Sequence, residues 1–437
     1  MSRTIIKSFA LLAFGLACCH LAPNAAAQLK SARPPIDVMR RITDMQNGNK
    51  EFKDPVGAVA KSNLEDVNAL AQWLSYRLTQ PELYGEKPET GSSLPVTEDT
   101  YYKVVDDVQK YIVPTDGPKK LTPSQWEYNK ALSDAMFKHL TEVMKNQKMI
   151  VKINATRMLS LVGKAGNEAL ADEFVKMIED PTSPDYARIY AIQGLAYLLA
   201  IPNQLQPGKP FFQKEDRLIK TIQTLVDVVM PPKIAPKADA PPVPPRPPEI
   251  TRFIRREAVK TLGVFPMSVI RDVNGKAAVN IGYPLLLVAI RDKQITPMPT
   301  ASEQVEALIG FCTKIPDEEL SLEYAAVGVN VAIIDLVRYK NNQSREIPWK
   351  LSAARLTLAL NQWKAATGKL KASRDPKKVA DLVDVAIADV LKNLEASGLT
   401  GTTTVEKLSQ MLGTQVKSLY ADDPKTILYG PDATAEN

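Results

Sequence analysis

The chain has 437 residues, 45% of them hydrophobic and 24% charged, with a formal net charge of +6. That balance excludes a wholly disordered chain, a collagen-like chain and a coiled-coil rod. Aromatics are only 6%, prolines (33) outnumber glycines (20), and there are two histidines and three cysteines, so a metal site built on histidines is excluded by count.

Residues 1–27 read as a secretory signal peptide. Arg3 and Lys7 form a positive start, Phe9 to Cys19 is an uncharged apolar run, Pro23 breaks it, and Ala25, Ala26 and Ala27 offer a small-residue cleavage site. The run is too short to span a bilayer, and no later stretch reaches about 18 uncharged apolar residues, so no transmembrane segment is expected in the mature chain. The export reading places the protein in the periplasm, secreted, or in the cell envelope. A lipoprotein anchor at Cys18 or Cys19 fits less well: the first alignment puts Gly15 where leucine is wanted, and the second puts Cys18 just before the modified residue. Cleavage leaves one histidine, His139, and one cysteine, Cys312, and lowers the net charge to +4. One cysteine makes no internal disulfide, so stability is expected from packing. Near-neutrality argues against wholesale nucleic-acid binding.

The following region is expected to be helical. Leu64, Val67, Leu70, Ala71 and Leu74 recur at helical spacing until Pro81, and a shorter helix runs from Tyr101 to Val113 before Pro114. With its long loops, residues 28–122 read as an N-terminal helical cap. From residue 123 the pattern becomes helix pairs: 124–145 with 148–163, 167–179 with 184–200, 213–230 with 250–264, 281–292 with 300–314, and 319–340 with 347–366. Residues 367–421 read as a C-terminal helical cap with helices near 376–396 and 404–420, and 422–437 as a disordered tail. Long alternating β-branched runs are absent, so few or no strands are expected.

Four second helices carry a related phrase: Val151 to Leu159, Ala187 to Leu195, Ile254 to Gly263 and, more loosely, Leu351 to Leu356. Their shared alanines are Ala155, Ala191, Ala258 and Ala354, and Leu159, Leu195 and Leu262 follow the first three by four residues. A small residue there lets helices approach, and the leucine fills the core between repeats. The pattern resembles the HEAT-repeat (armadillo-like) superfamily, most clearly where Asp180-Pro181 ends a first helix and Arg188, Ala191 and Leu195 follow. The resemblance covers residues 123–366. It implies an all-α, right-handed α-α superhelix, with Asp180 and Arg188, and Arg255 or Arg256, bonding from repeat to repeat as a structural ladder.

Residues 231–248 hold nine prolines. An interdomain linker is the obvious reading, but the second-helix phrase resumes just afterwards, so the segment 231–249 is an insertion inside one helix pair. Its Lys233, Lys237, Pro244, Pro245, Arg246, Pro247 and Pro248 form a stiff basic loop, the candidate site for a partner. Longer connections at 292–300 and 340–347 also join first to second helices, so all three are expected on one ridge. A second basic cluster, Lys364, Lys369, Lys371, Arg374, Lys377 and Lys378, adds a possible contact with an anionic surface.

No catalytic set assembles. His139 shares an apolar face with Leu132, Ala135 and Met136, and Cys312 continues a stripe from Val305, Leu308 and Ile309, so both read as structural. No cofactor motif and no metal-ligand set is present. Trp349 and Trp363 lie fourteen apart on one helix at core spacing, and Trp73 and Trp126 read as core or boundary residues. The expected function is a non-enzymatic protein-interaction or scaffold module, binding a protein partner through ridge loops or a concave face. The rival is a polysaccharide lyase or hydrolase on an α/α toroid, which requires a cleft lined with aromatics and carboxylates.

Overall fold

A computed structural model describes residues 64–80, 101–115, 121–201, 212–231, 246–272, 274–316, 322–342, 347–367 and 391–395, with isolated positions besides. The protein is all-α, with one small hairpin. Its elements are α1 (Leu64–Arg77), α2 (Tyr101–Tyr111), α3 (Pro123–Met144), α4 (Met149–Val162), α5 (Leu170–Glu179), α6 (Asp185–Leu199), α7 (Glu215–Val229) and α8 (Pro248–Val264). Strands β1 (Val269–Arg271) and β2 (Ala277–Asn280) follow, then α9 (Gly282–Ala289), α10 (Ala301–Cys312), α11 (Leu322–Asn342), α12 (Trp349–Thr367) and α13 (Leu391–Glu395). The expected signal peptide, Cys18, Cys19 and the expected disordered tail 422–437 lie outside the described residues, as does most of the expected C-terminal cap.

Local chemistry sets several helix starts. Thr122 opens α3 and Thr300 opens α10 with reciprocal capping boxes. In the second, the Thr300 hydroxyl accepts from the Glu303 amide (3.3 Å) while the Glu303 carboxylate accepts from the Thr300 amide (2.6 Å). Pro123 and Pro248 occupy first-turn positions, where the missing N–H costs nothing.

The helices form two layers. In one, α4, α6, α8, α10 and α12 each pack on the next; in the other, α5, α7, α9 and α11 do the same, and the pairs α3–α4, α5–α6, α7–α8 and α9–α10 close between layers. The expected last pair does not close among the described residues: α11 packs on α10 and α9, and α13 packs against both α11 and α12. α1 packs on α3, and α2 packs on both α1 and α4, so helices also cover the N-terminal side of the α3–α4 pair. Arg157 of α4 stacks over the Tyr101 ring of α2 at 5.0 Å. Ala155, Ala191 and Ala258 are fully buried, as are Leu159, Leu195 and Leu262. The fourth phrase is out of register: Ala354 is exposed and Ala353 is the buried residue, because Trp349, Ala353, Leu356, Leu360 and Trp363 form the inward stripe of α12. Trp349 and Trp363 are core, against Tyr339 and Phe311 respectively. Trp73 and Trp126 are half-buried boundary residues.

Close approach depends on glycine at two crossings. Gly263 of α8 faces Gly310 of α10, where a Cβ on Gly310 would stand 3.0 Å from the Gly263 Cα. A Cβ on Gly194 of α6 would stand 2.4 Å from the Phe174 ring of α5. Replacing Gly194 by alanine is therefore expected to cost about 1–3 kcal/mol through overpacking, read as a lowered Tm in thermal unfolding.

Ladders join the repeats, though not as expected. Along the second helices Gln193 donates to Glu257 (3.3 Å), Arg255 pairs with Glu303 (2.7 Å), and Arg355 grips Glu306 with both outer nitrogens (2.9 Å each). Along the first helices Arg217 bonds Glu168 and Asp172. Asp180 takes no part in these ladders: its carboxylate accepts from the Thr182 amide and hydroxyl and from Ser183, closing its own turn. Arg188 likewise stays inside its pair, donating to the Asp180 and Ser183 carbonyls. Arg256 lies over the Phe253 ring (4.8 Å) on its own helix and 3.7 Å from Glu257. Of the four residues expected to carry the ladder, only Arg255 spans repeats.

The β1–β2 hairpin joins α8 to α9. Asp272 Oδ1 accepts from the Asn274 and Lys276 amides, and Gly275 takes a left-handed φ of 77°. This edge is stitched to the next connection: Met267 bridges Ile315, the Ser268 hydroxyl donates to the Ile315 carbonyl (2.8 Å), and the Ile315 amide donates to Pro266 (2.7 Å). Lys314, fully buried, donates to the Leu262 carbonyl (2.6 Å) and the Phe265 carbonyl (2.5 Å) at the end of α8.

Candidate functional site

The α7–α8, α9–α10 and α11–α12 connections all run from the first layer to the second, at the edge opposite the stitched one. A cavity of about 270 Å³ opens there, between the end of α5, the start of α6, the end of α7 and the start of α8. The chain leaves α7 at Pro231 and returns at Arg246, and both residues line the cavity. Pro247 and Pro248 then start α8, which fixes where Arg246 sits. Lys233, Lys237, Pro244 and Pro245 lie outside the described residues.

The walls are amphoteric. Ile178, Val228, Pro231 and Ile254 supply apolar surface, Thr224 and Thr251 supply hydroxyls, and Glu179, Asp227, Arg188 and Arg246 supply charge. Arg246 Nε bonds Asp185 Oδ1 at 2.6 Å, so the expected free basic group of the loop is anchored on the first turn of α6. Burial holds the Arg188 guanidinium below its ordinary pKa, and the neighbouring charge of Arg246 pushes the same way against the pull of Asp185 and Asp180. Glu179 is neutralised by Lys220 and accepts from the Thr224 hydroxyl (2.9 Å). Asp227 accepts from Gln223 (2.7 Å), and burial raises its carboxyl above the usual range in spite of that bond.

Arg188 Nη1 and both outer nitrogens of Arg246 meet no partner among the described residues. These nitrogens are open to solvent, with the Arg246 side chain 29% exposed, and so remain available to a ligand. Guanidinium forks suit planar anions, carboxylates above all. The cavity therefore offers guanidinium donors, an acceptor in Asp227 whose carboxyl pKa burial raises, and apolar surface from Ile178, Val228 and Ile254.

His139 and Cys312 sit on the inward-facing sides of their helices. His139 is half-buried and sits 3.0 Å from Asn68 of α1, with burial holding its pKa below normal. Cys312 is a fully buried free thiol whose pKa burial pushes up. Among the described residues no cluster of potential ligands is placed to hold a metal, and no helix is long and apolar enough to cross a membrane. Within the second basic cluster Lys364 lies near the end of α12, and the other five residues fall outside the described residues.

Sequence reasoning found Arg246 and missed the cavity. The legible signal was Asp227, an acid set within Thr224-Leu225-Val226-Asp227-Val228-Val229. Comparison of the chain with protein-family models, with curated proteins and with solved structures finds no match in any of the three.

Proposed function

We propose that the protein is a non-enzymatic interaction module, an exported HEAT-like superhelix that holds a protein partner on the ridge where first helices turn into second helices. The observation that carries this reading is the ordered packing of α4, α6, α8, α10 and α12, each on the next. Stacking of this kind extends a surface with every pair, and such surfaces suit wide contacts. The HEAT-like assignment rests on the same packing together with the buried alanines Ala155, Ala191 and Ala258. The cavity adds a point of chemical specificity to the ridge. Its walls carry carboxylates but no aromatic ring, which gives a sugar-cleaving toroid less support than an interaction module.

Proximity labelling in the native envelope, followed by pull-down with a chain lacking residues 232–245, tests the reading. Arg246 to Glu249 must be kept, because they anchor Asp185 and start α8. The expected result is loss of the labelled partner with an unchanged circular dichroism spectrum. Retention of the partner moves the contact away from this part of the ridge.

A further inference from the structure

Arg188 and Arg255 hold corresponding places, each three residues before a buried alanine, Ala191 and Ala258. Arg255 receives a carboxylate from the next second helix, Glu303 of α10. The α8 residues that share the cavity with Arg188 are Thr251 and Ile254, which bring no charge. Arg188 thus receives no carboxylate from the next second helix, and it receives none where a cavity opens and a second guanidinium, Arg246, approaches.

We propose that the cavity binds an aliphatic residue bearing a free α-carboxylate, the C-terminal residue of a partner polypeptide. Its carboxylate lies between Arg188 and Arg246, its nitrogen donates to Asp227, and its side chain packs on Ile178, Val228 and Ile254. The carboxylate takes toward Arg188 the place that Glu303 holds toward Arg255, and occupies guanidinium nitrogens that the described residues leave unused. A cavity of about 270 Å³ is at the small end for ligand sites and suits one such residue. The cavity is partly open rather than enclosed, as the entry of a chain terminus requires. This assignment rests on the reading of the ridge as a partner-binding face.

Isothermal titration of the full chain with acetyl-Gly-Gly-Leu as free acid, with its carboxamide and with L-leucine tests it. The free acid is expected to bind at least tenfold more tightly than the carboxamide. R246Q should weaken the acid about tenfold while leaving the carboxamide unchanged. Val228→Phe, which fills the cavity without touching an ion pair, should abolish binding of the acid, and it keeps the test readable if R246Q does not fold. Equal affinity for acid and carboxamide, no binding of the acid, or indifference to Val228→Phe overturns the proposal. Free leucine binding tenfold tighter than the peptide overturns the polypeptide source. A chain that captures its partner and ignores the peptide refutes the pocket and leaves the interaction module standing; a chain that binds the peptide and captures no partner does the reverse.

Discussion

Removing either member of the Arg255–Glu303 pair is expected to cost about 3–5 kcal/mol, enough to unfold a marginal protein at growth temperature. Both side chains are at most 2% exposed, so each charge left alone would be stranded in a medium of low dielectric. The two substitutions should not be equal. Glu303 also accepts from the Thr300 amide (2.6 Å) and hydroxyl (2.9 Å), so Glu303→Ala loses the capping box of α10 as well, about 1 kcal/mol more than Arg255→Ala. Arg255 Nη2 has no hydrogen-bond partner, which limits what the pair contributes in the wild type. Replacing both residues together by methionine and leucine should accordingly recover most of the loss. Chemical denaturation of the two single variants and the double variant measures the cycle. Single variants within 1 kcal/mol of wild type would show that water reaches the pair.

The second large effect concerns Lys314. Burial pushes its ammonium down to about 7, while bonds to the Leu262 and Phe265 carbonyls and the negative end of the α8 dipole favour the proton. Lys314→Met strands both carbonyls without a donor and is expected to cost about 1–3 kcal/mol for each. The pH dependence has a definite sign. In the unfolded chain the lysine keeps its proton up to about 10.5. The folded protein gives it up at about 7. Between those values the unfolded state binds more protons, so stability rises with pH by up to about 1.4 kcal/mol per unit, and the contribution is flat below 7. A neutral amine still has two N–H groups, so both carbonyl bonds survive the titration. Urea unfolding of wild type and Lys314→Met from pH 6 to 10 reads this out. An identical pH profile in the two proteins would assign the slope to other groups.

The helices, and four of the five expected pairs, were legible because their signals are local. Apolar residues recur at helical spacing, prolines end the runs, and three alanine-leucine phrases mark buried second helices; the observed bounds lie within a few residues of those expected. The hairpin was not anticipated because its strands have three and four residues, too few to show alternation, although Asn274-Gly275 is a hairpin signal. The fourth phrase failed at Ala354 because Ala353 and Ala354 are adjacent, and only the tryptophans decide which one faces inward. The ladder failed for a different reason. Asp180 and Arg188 are eight residues apart and invite a local pairing, whereas the acid that completes the Arg255 rung lies 48 residues away on another helix. The cavity draws its walls from four helix ends between Ile178 and Ile254, so no stretch of sequence contains it.

The two edges of the stack differ in how they are held. At one, Met267, Ser268 and Pro266 are bonded to Ile315, and Lys314 is bolted to the end of α8. At the other, long connections cross between layers and a cavity stands open. Such an arrangement is mechanically that of a book with a single stitch through one pair of pages. The stitches hold α8 to α10 and none of them spans the junction of α6 with α8 where the cavity lies, so a pull on the two ends of the array is expected to widen the cavity before it parts α8 from α10. Tension along the molecule would then be felt first as a change in grip on whatever the ridge holds.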